Sequence, residues 1–132
     1  MYHAIYGFVV MRDAKYNVGS YPFSRNWFFF FQRWTGVYLF IFITYHVTTM
    51  RFVGIESSFD KVATTLANPW MMTFYILGVL TAAWHLANGL WLFGINWGIL
   101  IGPRAQRIAQ DVLTIFFVAL SAVGVSALFA FV

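Results

Sequence analysis

The chain has 132 residues, of which 61% are hydrophobic, 22% aromatic and only 9% charged. A water-soluble domain carries roughly 25% charged residues, so this composition points to an integral membrane protein with room for three or four helices of about 20 residues. No cysteine is present, which excludes disulfides, zinc–thiolate centres, iron–sulfur ligation and thioether-linked haem. The net charge of +4 comes from residues in short loops between apolar runs. Those residues read as topology signals, and nucleic acid is not an expected partner.

Taken in chain order, residues 1–11 are apolar but too short to cross a bilayer. They lack the basic start and small-residue cleavage site of a signal peptide. The segment reads as the C-terminal half of a helix whose first half is absent. Three full transmembrane spans follow at about 27–50, 70–95 and 112–132, the first interrupted by Arg33 and the others free of charge. Pro69 and Pro103 sit where helix starts would place them. The expected architecture is an all-α transmembrane helix bundle forming a single membrane domain over 1–132. The loops at 12–27 and 96–110 hold Arg12, Lys15, Arg25, Arg104 and Arg107. The loop at 51–69 has Arg51 and Lys61, offset by Glu56 and Asp60. The positive-inside rule then predicts a multi-pass protein with its C-terminus outside. In the last span, Ala122, Ser126 and Ala130 recur every four residues and predict a helix-packing face.

The histidines are the costly residues. An ionisable side chain inside a membrane helix is a functional hypothesis, set against the plainer role of a neutral interhelical hydrogen bonder. At about 1.5 Å per residue, His3 lies roughly 13 Å before Arg12 and His85 roughly 16 Å before Asn96. His46 lies only about 7 Å before Arg51, near the opposite surface. Thus His3 and His85 are matched in depth and His46 stands apart. Gly78, Thr81, His85 and Gly89 share one helix face, where small residues beside a histidine predict a flat slot of the kind a porphyrin needs. Tyr2-His3-Ala4-Ile5-Tyr6-Gly7 and Trp84-His85-Leu86-Ala87-Asn88-Gly89 share the pattern aromatic-His-x-x-x-Gly. A bis-histidine haem b suits these residues better than a bare metal ion, because no carboxylate or thiolate accompanies them. Arg33, at a similar depth, is a candidate counter-charge for haem propionates, with Gln32 a weaker one, and snorkelling to the headgroups is its alternative. Tyr45, Thr48, Arg51 and Trp70 near the outer surface are candidate quinone neighbours or interfacial anchors.

The ordered runs Arg25-Asn26-Trp27, Gln32-Arg33-Trp34-Thr35-Gly36, Tyr45-His46, Phe74-Tyr75-Ile76-Leu77-Gly78, Trp84-His85-Leu86-Ala87-Asn88-Gly89, Asn96-Trp97-Gly98-Ile99 and Pro103-Arg104-Ala105-Gln106-Arg107-Ile108 resemble the dihaem cytochrome b anchor of bacterial succinate:menaquinone oxidoreductase. The resemblance covers nearly the whole chain. It implies a five-helix fold lacking here its N-terminal part, and a subunit that carries electrons without oxidising succinate itself, so that no catalytic residue is expected. It further implies His3 and His85 as axial ligands of the inner haem and His46 as a ligand of an outer haem whose second histidine this chain does not contain. The implied partners are a flavoprotein and an iron–sulfur subunit on the cytoplasmic face, with menaquinone as electron acceptor in the bacterial cytoplasmic membrane. Two alternatives stay open on the residues alone. One is a cytochrome b subunit of a hydrogenase or formate dehydrogenase, and the other a haem-free membrane anchor or transporter subunit.

Overall fold

The computed structural model describes residues 2–52 and 59–132, so Glu56 of the loop at 51–69 lies outside the described residues. Every regular element among these residues is helical: α1 (Tyr2–Arg12), α2 (Ser24–Val47), a π-helical turn (Thr48–Phe52), α3 (Phe59–Leu66), α4 (Pro69–Asn96) and α5 (Gly102–Phe129). The expected helical membrane bundle is what the chain forms. Helices α4 and α5 are both long and apolar enough to cross a bilayer. At about 1.5 Å per residue each is roughly 42 Å long, beyond the hydrocarbon thickness of about 30 Å. With 24 residues α2 has the length, but its tryptophans, tyrosines and two arginines make it less apolar than the other two.

Helix α4 is the centre of the bundle. Its start is well defined: the Asn68 side chain accepts hydrogen bonds from the backbone N–H of Trp70 and Met71 at 2.9 and 3.4 Å, with Pro69 in the first turn. It buries Tyr75, Gly78, Ala83, Ala87, Asn88 and Gly94, using small residues to bring neighbours close. Helix α2 runs antiparallel along one side, so that His46 reaches Tyr75 and Arg25 reaches Trp91. Helix α5 returns along the other side.

The α4–α5 connection is locked locally. Gly98 takes a positive φ of 67°, and the Gly94 carbonyl accepts the N–H of both Ile99 and Leu100 at 2.8 and 2.9 Å. The Leu100 side chain fills the space beside Gly94, where an added Cβ would come within 2.8 Å of it. Trp91 Nε1 donates to the Gln106 carbonyl at 3.0 Å, and Gln106 Nε2 donates to the Leu100 carbonyl at 3.3 Å.

Three features differ from the sequence reading. Helix α5 starts at Gly102, ten residues before the apolar run, because backbone hydrogen bonding carries the helix through its polar first turns. Hydropathy marks only the part suited to lipid. The loop at 51–69 contains the short helix α3, whose Leu66 is only 2% exposed and whose Phe59 ring lies 5.1 Å from that of Phe131. The packing face of α5 is also displaced from the expected stripe. Ser121 is buried and Gly124 meets Val79 of α4, whereas Ala122, Ser126 and Ala130 are exposed. An added Cβ at Gly124 would lie 2.5 Å from Val79, so this glycine sets the closest approach, and the face follows it.

Helix α1 buries no residue. It lies across the middle of α2, with His3 reaching His85 beside Thr35, and Phe8 edge-on to Phe40 at 5.4 Å. After a turn at Asn17, Asn26 Nδ2 of α2 donates to Asn17 Oδ1 and to the Tyr21 carbonyl, at 3.0 and 2.8 Å. These bonds tie the loop to the start of α2.

Candidate functional site

His3 and His85, 82 positions apart in sequence, face one another. Their ring centres are 6.3 Å apart and their planes 81° apart. Two imidazoles on opposite sides of one metal ion, at roughly 2 Å per metal–nitrogen bond, put their ring centres roughly 6 Å apart. The observed separation therefore suits a shared axial arrangement. Among the described residues no cluster of three or more His, Cys, Asp or Glu side chains is present, so the pair stands without the extra ligands a bare ion would need.

The surroundings of His85 come mostly from α2. Thr35 Oγ1 lies 3.1 Å from His85 Nδ1. Gln32, one turn earlier, donates from Nε2 to the His85 carbonyl at 3.1 Å and accepts from Asn88 Nδ2 at 2.8 Å. An added Cβ at Gly36 would lie 3.2 Å from His85 Cε1, so this glycine leaves room for the ring edge. The sequence reading singled out Gln32 but overlooked Thr35, Gly36 and Asn88. Only the antiparallel register of α2 and α4 brings these residues to His85.

Arg33 folds back along its own helix. Its Nη1 donates to the Phe29 carbonyl at 3.0 Å, and its guanidinium carbon sits 3.1 Å from the centre of the Phe29 ring. Arg33 Nε is buried without a hydrogen-bond partner. A half-buried cation with an unused, buried donor has capacity for an anion.

The glycine face of α4 is filled rather than open at the two expected positions. The Phe42 ring of α2 occupies the space beside Gly78, where an added Cβ would come within 2.3 Å of it. Gln32 Nε2 lies 3.3 Å from the corresponding position at Gly89. Close packing of α2 accounts for both small residues. In the other copy of the aromatic-His-x-x-x-Gly pattern, Gly7 has no such neighbour within 4 Å.

His46 is ten α4 residues away, judged from its partner: its Nδ1 is 3.3 Å from the Tyr75 hydroxyl, and Tyr75 is ten positions before His85. That places it roughly 15 Å from the His3–His85 pair along the helix. The His46 ring stacks on Phe42 at 6.0 Å. It borders an apolar cleft of about 450 Å³ whose lining includes Leu66, Tyr75, Val79 and Leu128. No second histidine faces it among the described residues. Of the outer candidates, Tyr45 packs its ring against Phe74 at 5.3 Å and directs its hydroxyl to Met71 Sδ at 3.9 Å. Trp70 is 84% exposed, as an interfacial anchor would be.

At the other end of the bundle, Arg25 joins three helices. Its guanidinium lies 3.5 Å from the Trp91 ring centre, and Nη2 donates to Gln110 Oε1. Here α2 and α5 begin and α4 ends, so Arg25, Arg104 and Arg107 share one end.

This fold and its motifs can be set beside known proteins. The family model of the succinate dehydrogenase/fumarate reductase transmembrane subunit matches residues 13–129. The chain belongs to that family. The succinate dehydrogenase cytochrome b558 subunit of Bacillus subtilis (strain 168) is 48% identical over 135 residues, an overlap covering 100% of this chain and 67% of that relative. No solved structure matches. The resemblance drawn from the motifs is borne out, and a membrane location follows for this succinate dehydrogenase/fumarate reductase transmembrane subunit. The stretch matched to the family contains His46 and His85. His3 precedes it and falls within the overlap with the B. subtilis subunit.

Proposed function

We propose that this chain is a haem b-carrying membrane anchor that passes electrons from the iron–sulfur subunit of succinate dehydrogenase to menaquinone. The single observation that carries the haem reading is the 6.3 Å separation of the His3 and His85 rings. The family match favours succinate dehydrogenase over a hydrogenase or formate dehydrogenase complex.

In this reading His3 and His85 would hold the haem iron, and Arg33 would offer its unpaired Nε to a propionate. Held by two histidines, a haem b would supply one-electron transfer. The chain's own contribution is to hold the two imidazoles at a fixed separation, His85 half-buried against α2 and His3 on the exposed helix α1. His46 is the ligand this chain offers to a second, outer haem. Its bond to Tyr75 orients the ring, and the adjoining apolar cleft is where the quinone end of the path would lie.

Arg25, Arg104 and Arg107 mark the end that faces the cytoplasm, where the flavoprotein and iron–sulfur subunits dock. The chain is then multi-pass, with spans in α2, α4 and α5 and the C-terminus outside. The test is the reduced-minus-oxidised visible spectrum of the chain co-expressed with both extrinsic subunits. Haem b bands are expected, and His85→Ala is expected to remove one haem per flavin. A His85→Ala complex that retains its full haem content would overturn the assignment, and a wild-type complex with no haem b bands would leave a plain anchor.

A further inference from the structure

We propose that Thr35 is a positioning residue that fixes the His85 imidazole in its Nδ1–H tautomer, leaving the Nε2 lone pair to face the metal. The proposal rests on the reading of His85 as an axial ligand and goes beyond it by assigning the group that sets the ligand's protonation.

A threonine hydroxyl has one proton and two lone pairs. Thr35 Oγ1 lies 2.7 Å from the Phe31 carbonyl and 3.1 Å from the Gln32 carbonyl, both of which can only accept. The hydroxyl proton therefore goes to the nearer carbonyl, in the back-bonded geometry common for helical threonine. A lone pair then faces His85 Nδ1 at 3.1 Å. An acceptor at that distance requires Nδ1 to carry the ring proton. In a neutral imidazole the other nitrogen, Nε2, is then the one able to bind a metal.

The rest of the seat reinforces this. Gln32 holds the His85 carbonyl and is itself held by Asn88, which fixes the rotation of α4 against α2. Gly36 leaves the ring edge its room. An N–H···O bond from the distal ring nitrogen also makes a ligating imidazole more basic, which tunes the metal it holds.

Thr35→Val removes the hydroxyl at nearly constant volume and is the variant to make, in the complex with both extrinsic subunits. Three quantities are read: haem per flavin after a fixed detergent wash, the midpoint potential of each haem by optical titration, and the low-spin electron paramagnetic resonance g values. Thr35→Val is expected to raise the potential of one haem, to shift its g values, and to lower haem retention at that site, in keeping with the about 10–100-fold cost of removing such an outer partner. Thr35→Ser, which keeps the hydroxyl, is expected to restore all three. Unchanged potentials and g values in Thr35→Val would overturn the proposal. If Thr35→Val does not assemble, Thr35→Ala and Thr35→Ser decide. Assembly of Ser but not Ala supports a hydroxyl requirement, assembly of neither overturns it, and if Ala assembles its potentials are read in place of those of Val. Failure of the ligand reading itself is separately visible, because His85→Ala would then keep its full haem content.

Discussion

Gly78 shows how much depends on a single missing methyl group. Phe42 of α2 lies where a side chain at position 78 would be, and the same ring stacks on His46 and packs against Phe74 and Tyr75. Gly78→Ala should therefore destabilise the bundle by about 1–3 kcal/mol, the usual cost of overpacking. The loss would be read as a lower thermal midpoint of the detergent-solubilised complex. Phe42→Leu should recover part of it in the double variant, and strictly additive losses would contradict the direct clash. At this scale the sequence was informative where a residue is expensive and silent where it is ordinary. Membrane histidines announce themselves by cost, and helical rise marked His3 and His85 as an expected pair. Thr35 is one of several threonines on these helices, most of them bonded to their own backbone. Only the facing helix distinguishes it.

The helix ends divide the same way. Asn68 followed by Pro69 is a readable start, since a side-chain acceptor precedes a residue that needs no amide partner. Asn68→Ala should cost about 1 kcal/mol, seen as a lower midpoint in a denaturant titration, while Asn68→Asp should retain most of the stability. Equal stability of wild type and Asn68→Ala would show that the cap contributes nothing. The beginning of α5 was hidden because its first turns are polar: Arg104, Gln106, Arg107 and Gln110 interrupt apolarity without interrupting the helix. The short α3 was hidden for a related reason. Its eight residues include Asp60 and Lys61, and its place depends on burying Leu66 beneath neighbours that lie far away in sequence. The line of small residues on α4 was legible, but Phe42 and Gln32 fill the expected slot at Gly78 and Gly89, which depends on the rotation of α2 and which periodicity does not encode.

For the whole molecule, the three shared basic residues at one end give a topology that can be measured directly. The chain has no cysteine, so single cysteines report without background. Ile99→Cys, in the exposed link between α4 and α5, should resist a membrane-impermeant maleimide in intact cells and react in inside-out vesicles. Val132→Cys should show the opposite pattern. Labelling of Ile99→Cys in intact cells would reverse the orientation. The bundle as a class was legible from composition, because so few charges leave water no surface to hold. The place of α1 beside the middle of α2, where Phe8 meets Phe40, was not, since nothing in eleven apolar residues specifies which neighbour they pack against.

The local lock between α4 and α5 also bears on how the molecule is made. Its bonds join residues no more than 15 positions apart, so this hairpin can close within moments of leaving the ribosome, with little chain entropy to overcome. The meeting of His3 with His85 must bridge 82 positions and waits for α4 to be threaded and turned. The α4–α5 hairpin can therefore form before the earlier-made α1 is drawn onto it. A chain that stalls before position 85 has no His3–His85 pair to close, so the pairing depends on a central helix already in place.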